Sequence, residues 1–209
     1  MFDFLALITK KRYWLLHSIL MKWVMRCYGI RVGRNFYIEG VPKLKVRGRG
    51  GDIRIGDDVS IFGPIDLRNR ERGSIIIEDG AAIDNDCRFV AANDAVLRIG
   101  KRTGIGPYCI FNAGVDISVG EDCLLAGMIY VQSSQHGLAR GELVRKQKHT
   151  YGRISIGNDV WIAANAAVTK GAVVGDGCVI GAKALVREGT YEPYSILAGT
   201  PAVKVKDRV

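Results

Sequence analysis

Residues 156–186 read IGNDVWIAANAAVTKGAVVGDGCVIGAKALV. Within this stretch Ile156, Ile162, Val168, Val174, Ile180 and Val186 recur every six residues without a break. Gly or Ala follows at Gly157, Ala163, Gly175 and Gly181, and the fifth residue of each step is small or β-branched: Val160, Ala166, Ala172, Cys178, Ala184. A period of six matches neither the 3.6 of a helix nor the 2.0 of a simple alternating strand. It fits a coil of short strands joined by tight turns, with one aliphatic side chain per strand pointing inward. That is the hexapeptide signature of a parallel β-helix.

The same period runs back toward the N-terminus in triplets. Ile55, Ile61 and Leu67 form one set, then Ile77, Ile83 and Phe89, then Ile99, Ile105 and Phe111, then Val119, Leu125 and Val131. Three steps per set predict a three-sided coil with one set per turn. A single turn cannot bury its inner face; stacking buries a shared core. Spacings longer than six between the early sets predict small corner loops. The much longer gap between Val131 and Ile156 predicts a loop over 137–153. The fold class expected is all-β: a parallel β-helix over 51–209, with a C-terminal tail over 190–209.

Composition agrees with one core. The chain has 209 residues, ample for one domain. Of its 5 Cys, Cys87, Cys109, Cys123 and Cys178 sit at the fifth position of a hexad. With no C-x-x-C pair and an odd count, they read as small buried thiols in a reducing compartment. Three His (His17, His136, His149), with no close pair along the chain, argue against a three-His zinc site, so no metal is expected.

The net charge of +9 is concentrated at one end. Residues 1–50 hold 11 Lys or Arg against Asp3 and Glu39, while the 19 basic and 19 acidic residues of 51–209 cancel. Within 1–50 the apolar residues Phe4, Leu5, Ile8, Leu15, Leu16, Ile19, Leu20, Trp23, Val24 and Cys27 recur at three and four, which predicts a basic amphipathic helical segment. Charge interrupts it too often for a membrane span, and its basic residues follow the first apolar run, unlike a signal peptide. Two readings stand together: a cap over the open end of the coil, and a helix lying on an anionic membrane surface through residues 1–28, anchored by Trp14 and Trp23. No recognised nucleic-acid motif accompanies the charge, so no nucleic-acid partner is expected.

His136 is the last residue before the long loop, at a corner of the coil. An imidazole there suits proton removal from a hydroxyl near neutral pH. Around it stand Ser134-Gln135-His136, the loop, Ile156-Gly157-Asn158-Asp159-Val160-Trp161-Ile162, Val179-Ile180-Gly181-Ala182, and Pro193-Tyr194-Ser195-Ile196-Leu197-Ala198-Gly199-Thr200-Pro201-Ala202. Together these resemble the hexapeptide-repeat acyltransferases, in the branch of sugar O-acetyltransferases that includes galactoside and maltose acetyltransferases and O-acetyltransferases of capsule or lipopolysaccharide. The resemblance covers roughly three quarters of the chain, and the combination is specific where each piece alone is not.

The resemblance implies a left-handed coil, against the usual right-handed crossover rule, and a homotrimer with an active site in each groove between subunits. It implies that acetyl-CoA is the acyl donor and that His136 is the general base. Ala164 and Ala182 match positions where the backbone meets the pantetheine arm. Arg187 takes the place of a family Lys shifted by one position, and Lys204 and Lys206 match the basic residues beyond Gly199-Thr200-Pro201-Ala202 that meet the nucleotide end. Asn112 and Asp116 match acceptor-binding polar residues on the coil before the His. The loop carries Arg140, Arg145, Lys146 and Lys148, suited to an acidic acceptor or a CoA phosphate; His149 has no assigned role. Ala163 departs from the Gly common after Trp-Ile in the family, and the basic N-terminus resembles that of polysaccharide-assembly O-acetyltransferases.

The expected function is therefore acetyl-CoA-dependent O-acetylation of a sugar in a surface-glycan or lipid-linked precursor, in the cytoplasm or at the inner face of the cell membrane. Two alternatives stay open: N-acetylation of an amino-sugar nucleotide, and a non-catalytic hexapeptide scaffold. The His count disfavours a zinc-dependent carbonic anhydrase on the same coil.

Overall fold

The computed structural model describes residues 12–209. Each turn of the coil passes through three short strands, one in each of three sheets of eight, nine and seven strands. The result is a left-handed parallel β-helix of about 7 turns, with one α-helix at its start among the described residues. On the first face Ile55, Ile77, Ile99, Val119, Ile156 and Val174 stack in register. On the second, Ile61, Ile83, Ile105, Leu125, Ile162 and Ile180 do so. On the third, Leu67, Phe89, Phe111, Val131, Val168 and Val186 do so. Each column holds the inward residue of successive hexads, so the six-residue period is the path length of one side of the triangle. Phe89 and Phe111, both fully buried, stack face to face with ring centroids 5.0 Å apart.

The corners explain the fifth position. Asp58, Arg102, Asp122 and Asp159 take positive φ of 58, 55, 57 and 53° at equivalent corners. Each directs the next residue (Val59, Thr103, Cys123, Val160) into the core. The cysteines use that site in a defined way. The thiols of Cys87, Cys109, Cys123 and Cys178 donate to the carbonyls of Gly106, Ala126, Gly157 and Glu192 at 3.2, 3.1, 3.1 and 3.1 Å. A small side chain with a weak donor thus satisfies a carbonyl one coil onward. All four are free and buried, and Cys27 is free and exposed.

The coil starts earlier than the boundary expected at residue 51. Among the described residues the helix spans Arg12–Cys27, and Val32, Ile38 and Leu44 continue the three columns by one more turn. Val32, Ile38 and Leu44 keep the six-residue spacing, but the fifth positions of this turn hold Phe36 and Pro42 in place of a small or β-branched residue, so the turn lacks the full hexad signature. The helix ends in a Schellman turn: Ile30 N–H donates to Met25 O at 3.1 Å and Gly29 N–H to Arg26 O at 2.8 Å, with Gly29 at φ 79°. The C-terminal stretch is not a loose tail. It completes a further turn through Gly189–Tyr191 and Ser195–Gly199, then folds back antiparallel as Ala202–Asp207.

The helix caps the coil with one face. Met21 and Met25 bury against the first turn, Ser18 Oγ accepts Ile38 N–H at 2.8 Å, and the His17 ring lies 2.8 Å from Gly40 O. The opposite face is open: Leu15, Leu16, Ile19, Leu20 and Trp23 are exposed, with Arg12 and Arg26 among them. Trp14 does not join them. It is half-buried and edge-on to His17, so of the two expected anchors only Trp23 faces outward. Phe4, Leu5 and Ile8 lie outside the described residues. No helix among the described residues is long and apolar enough to cross a membrane.

Candidate active site

The long excursion leaves the coil as a short antiparallel ribbon. Ser134–His136 pairs with His149–Tyr151, with Ser134 opposite Tyr151 and His136 opposite His149. Cross-strand partners on one face of such a pair have Cβ atoms about 4.5–5.5 Å apart. The two imidazoles accordingly meet, ring centroids 4.1 Å apart and tilted by 42°. Both are exposed, at the point where the ribbon leaves the third face. Sequence spacing hid this pair: thirteen positions separate the two residues along the chain, and only the ribbon register joins them.

The base of the ribbon is anchored to the coil. Ser133, fully buried, accepts Gly114 and Val115 N–H at 3.0 and 3.1 Å and donates to Val115 O at 2.8 Å. Tyr151 lies over Gly114 so closely that a Cβ there would stand 2.8 Å from its ring. The far end is organised by Gln147, whose buried amide bonds Ala139 N–H, Ala139 O and Glu142 O at 2.8, 2.9 and 2.8 Å. The loop is therefore built rather than slack. It still exposes Leu138, Leu143 and Val144 along with Arg140, Arg145, Lys146 and Lys148.

Beside the ribbon, the third face forms a groove of about 420 Å³ lined by Tyr130, Gln132, Ser134, Gln135, Thr169, Lys170, Leu185 and Arg187. Gln132 is its hub. Its Nε2 donates to Ser134 O at 2.8 Å, and its Oε1 accepts from the Tyr130 hydroxyl and from Asn112 Nδ2 at 3.3 Å. Neither Tyr130 nor Gln132 stood out in the sequence. The signal was available: they occupy outward positions of the strand one turn beyond Asn112.

The expected site residues fall into distinct places. Asn112 lies on the third face within reach of Gln132. Asp116 lies around the next corner, where it accepts Val96 N–H at 2.9 Å and pairs with Arg153 at 3.3 Å, so it is occupied by the scaffold. Ala164 and Ala182 sit one turn apart at the second-to-third corner, where Lys183 N–H donates to Ala164 O at 3.0 Å. Arg187 lines the groove. Lys204 and Lys206 are exposed on the returning C-terminal strand, and Lys204 pairs with Asp207 at 2.5 Å. Trp161 is exposed on the second face. Among the described residues, no group of three or more His, Cys, Asp or Glu gathers as a metal-binding set.

Comparison with known proteins agrees with this architecture. A family model described as "Bacterial transferase hexapeptide (six repeats)" matches residues 153–188. The chain is 33% identical over 124 residues to the "Probable acetyltransferase Rv3034c" of Mycobacterium tuberculosis, an alignment covering 59% of this chain and 41% of that protein. The chain thus spans about two fifths of that relative. It is 26% identical over 187 residues to the galactoside O-acetyltransferase of Escherichia coli K12, covering 85% of this chain and 87% of the relative. The crystal structure of AntD, an N-acyltransferase from Bacillus cereus in complex with dTDP and 3-hydroxybutyryl-CoA, superposes with a TM-score of 0.62 at 19% identity, over 90% of this chain and 88% of that one. The columns of stacked hexads and these likenesses converge: the chain has the hexapeptide-repeat β-helix fold and is similar in sequence to hexapeptide-repeat acyltransferases.

Proposed function

We propose that this protein is an acetyl-CoA-dependent O-acetyltransferase acting on a sugar hydroxyl of a surface-glycan or lipid-linked precursor. The observation that carries the reading is His136, exposed on an anchored ribbon whose neighbouring residues Ser134 and Gln135 line a groove of the third face. In the reaction, His136 takes the proton of the acceptor hydroxyl as that oxygen attacks the thioester carbonyl. The tetrahedral species collapses, the C–S bond breaks, and the CoA thiolate leaves and is protonated. No covalent enzyme intermediate is required. Positioning of two substrates and proton removal supply the acceleration, the latter about 10²–10⁴-fold. A backbone N–H of the coil stabilises the oxyanion.

The pantetheine arm passes Ala164 and Ala182, whose small side chains permit close approach. Arg187, Lys204 and Lys206 serve the phosphates, and Lys204 must release Asp207 to do so. Asn112 binds the acceptor through its place beside Gln132; Asp116 acts on it only indirectly, through the corner it holds. His149 keeps the His136 ring in place by packing against it. The exposed Leu138, Leu143 and Val144 of the loop suit the groove of a neighbouring copy, in keeping with a homotrimer. Free buried thiols fit a cytoplasmic setting. The open apolar face of the helix, with Arg12 and Arg26, fits peripheral attachment to an anionic membrane. Likeness to AntD keeps N-acylation of an amino sugar as the second reading, since the same base serves an amine.

Calorimetric titration with acetyl-CoA, followed by CoA release with a sugar panel, tests the proposal. Binding together with acceptor-dependent release supports it; absence of acetyl-CoA binding refutes it and leaves the scaffold reading. Co-sedimentation with phosphatidylserine vesicles, wild type beside Trp23→Ser with Ile19→Ser, tests the membrane element. Equal recovery of both proteins would refute it.

A further inference from the structure

Next to the transfer groove, the third face carries a second depression of about 440 Å³, lined by Arg68, Arg70 and Arg88 together with Asn112 and Tyr130. Tyr130 lines both depressions, so they adjoin. The three arginines come from Ile65–Asn69, the corner after it, and Cys87–Ala91, adjacent strands roughly 4.8 Å apart. Like charges held across neighbouring strands destabilise a sheet. The one carboxylate among them is Asp66, which Arg68 grips at 2.7 and 2.5 Å and Arg88 touches at 3.2 Å. Two guanidiniums thus share one carboxylate, and the third, that of Arg70, lines the same depression without joining them. Arg70 has no ion pair or side-chain hydrogen bond among the described residues, and Arg88 uses only part of its five donors.

A structural network of this kind needs one arginine for one aspartate. The surplus suits an oxyanion, because guanidinium binds phosphate or carboxylate through paired N–H donors. We propose that this depression binds an anionic group of the acceptor, a phosphate or diphosphate attached to the saccharide, while the sugar hydroxyl reaches His136. The inference rests on the acetyltransferase reading for its purpose, not for the anion site itself. Three strand spacings separate the arginine strand from that of Gln132, about 14 Å, room for a saccharide between the anion and the reacting hydroxyl. Asn112 lies along this path, one strand short of Gln132, and Tyr130 at its junction with the groove.

The test is calorimetric titration of the full-length protein with inorganic pyrophosphate, in the presence of saturating coenzyme A so that the donor's own phosphate sites are filled. Wild type is compared with Arg70→Glu and with Arg54→Glu, which makes the same charge change at an exposed position of the first face. The expected result is saturable binding, weakened at least tenfold by Arg70→Glu and less than twofold by Arg54→Glu, with acetyl-CoA affinity unchanged in both. Glucuronate in place of pyrophosphate separates the two oxyanion sources: tighter pyrophosphate binding supports the phosphate assignment, and tighter glucuronate binding overturns it. Absence of pyrophosphate binding, or equal weakening by both substitutions, overturns the site. Should acetyl-CoA itself fail to bind, the acetyltransferase reading falls while pyrophosphate binding still decides the anion site.

Discussion

Replacing His136 by Ala separates catalysis from architecture, because the structure assigns this side chain almost no part in stability. The imidazole is exposed, and its ring contact is the His149 ring across a two-stranded ribbon. The Ser133 and Gln147 hydrogen bonds that hold the ribbon do not pass through it. Truncation at such a surface site changes folding stability by about 0.5 kcal/mol or less. Loss of a general base, by contrast, costs about 10²–10⁴ in rate, or about 2.7–5.4 kcal/mol of transition-state stabilisation at about 1.36 kcal/mol per decade. The expected result is thus a fall of at least a hundredfold in acceptor-dependent CoA release, an unchanged Tm and an unchanged acetyl-CoA affinity. CoA release is followed with a thiol reagent and Tm by scanning fluorimetry. Less than a tenfold rate loss in a protein of unchanged Tm would refute the assignment of the base.

Other expectations follow from the same geometry. Gly114→Ala drives a methyl against the Tyr151 ring at 2.8 Å; because Tyr151 is exposed, stability should fall by less than about 1 kcal/mol, while displacement of the ribbon lowers kcat by roughly tenfold or more. Matched melting and kinetic data check both halves, and unaltered kcat would show that the ribbon position is irrelevant. Phe111→Ala removes one of two stacked, fully buried rings and should cost about 3–5 kcal/mol in denaturant unfolding. Burial works against the charge of Asp66, but the hydrogen bonds and charges of Arg68 and Arg88 outweigh it and hold its carboxyl below the ordinary value. The stability this contributes is present above the ordinary carboxylate pKa and is lost as pH falls through the depressed folded value. Asp66→Asn should therefore flatten the acid side of the stability curve; an unchanged curve would count against the network. Burial pushes the Cys123 and Cys178 thiols up, so in the native protein a thiol reagent should label Cys27 rapidly and these two slowly.

The residues alone determined the coil, because a stacked column repeats the same inward position at every step and leaves its period in the chain. Ile156, Ile162 and Val168 could be assigned to three faces before any coordinates were known, and the structure sets them there. The buried fifth-position cysteines were legible for the same reason: a corner favours a small or β-branched side chain there. The first turn was harder to read: Val32, Ile38 and Leu44 keep the spacing of six, but Phe36 and Pro42 break the fifth-position rule, and the turn is buried in part by the helix packed over it. The facing of His136 and His149, the hub at Gln132 and the gathering of Arg68, Arg70 and Arg88 were set only by tertiary structure. Each joins residues whose proximity depends on strand register across turns or across an excursion of variable length. A local period records which side chains point inward; it carries no record of which outward side chains meet.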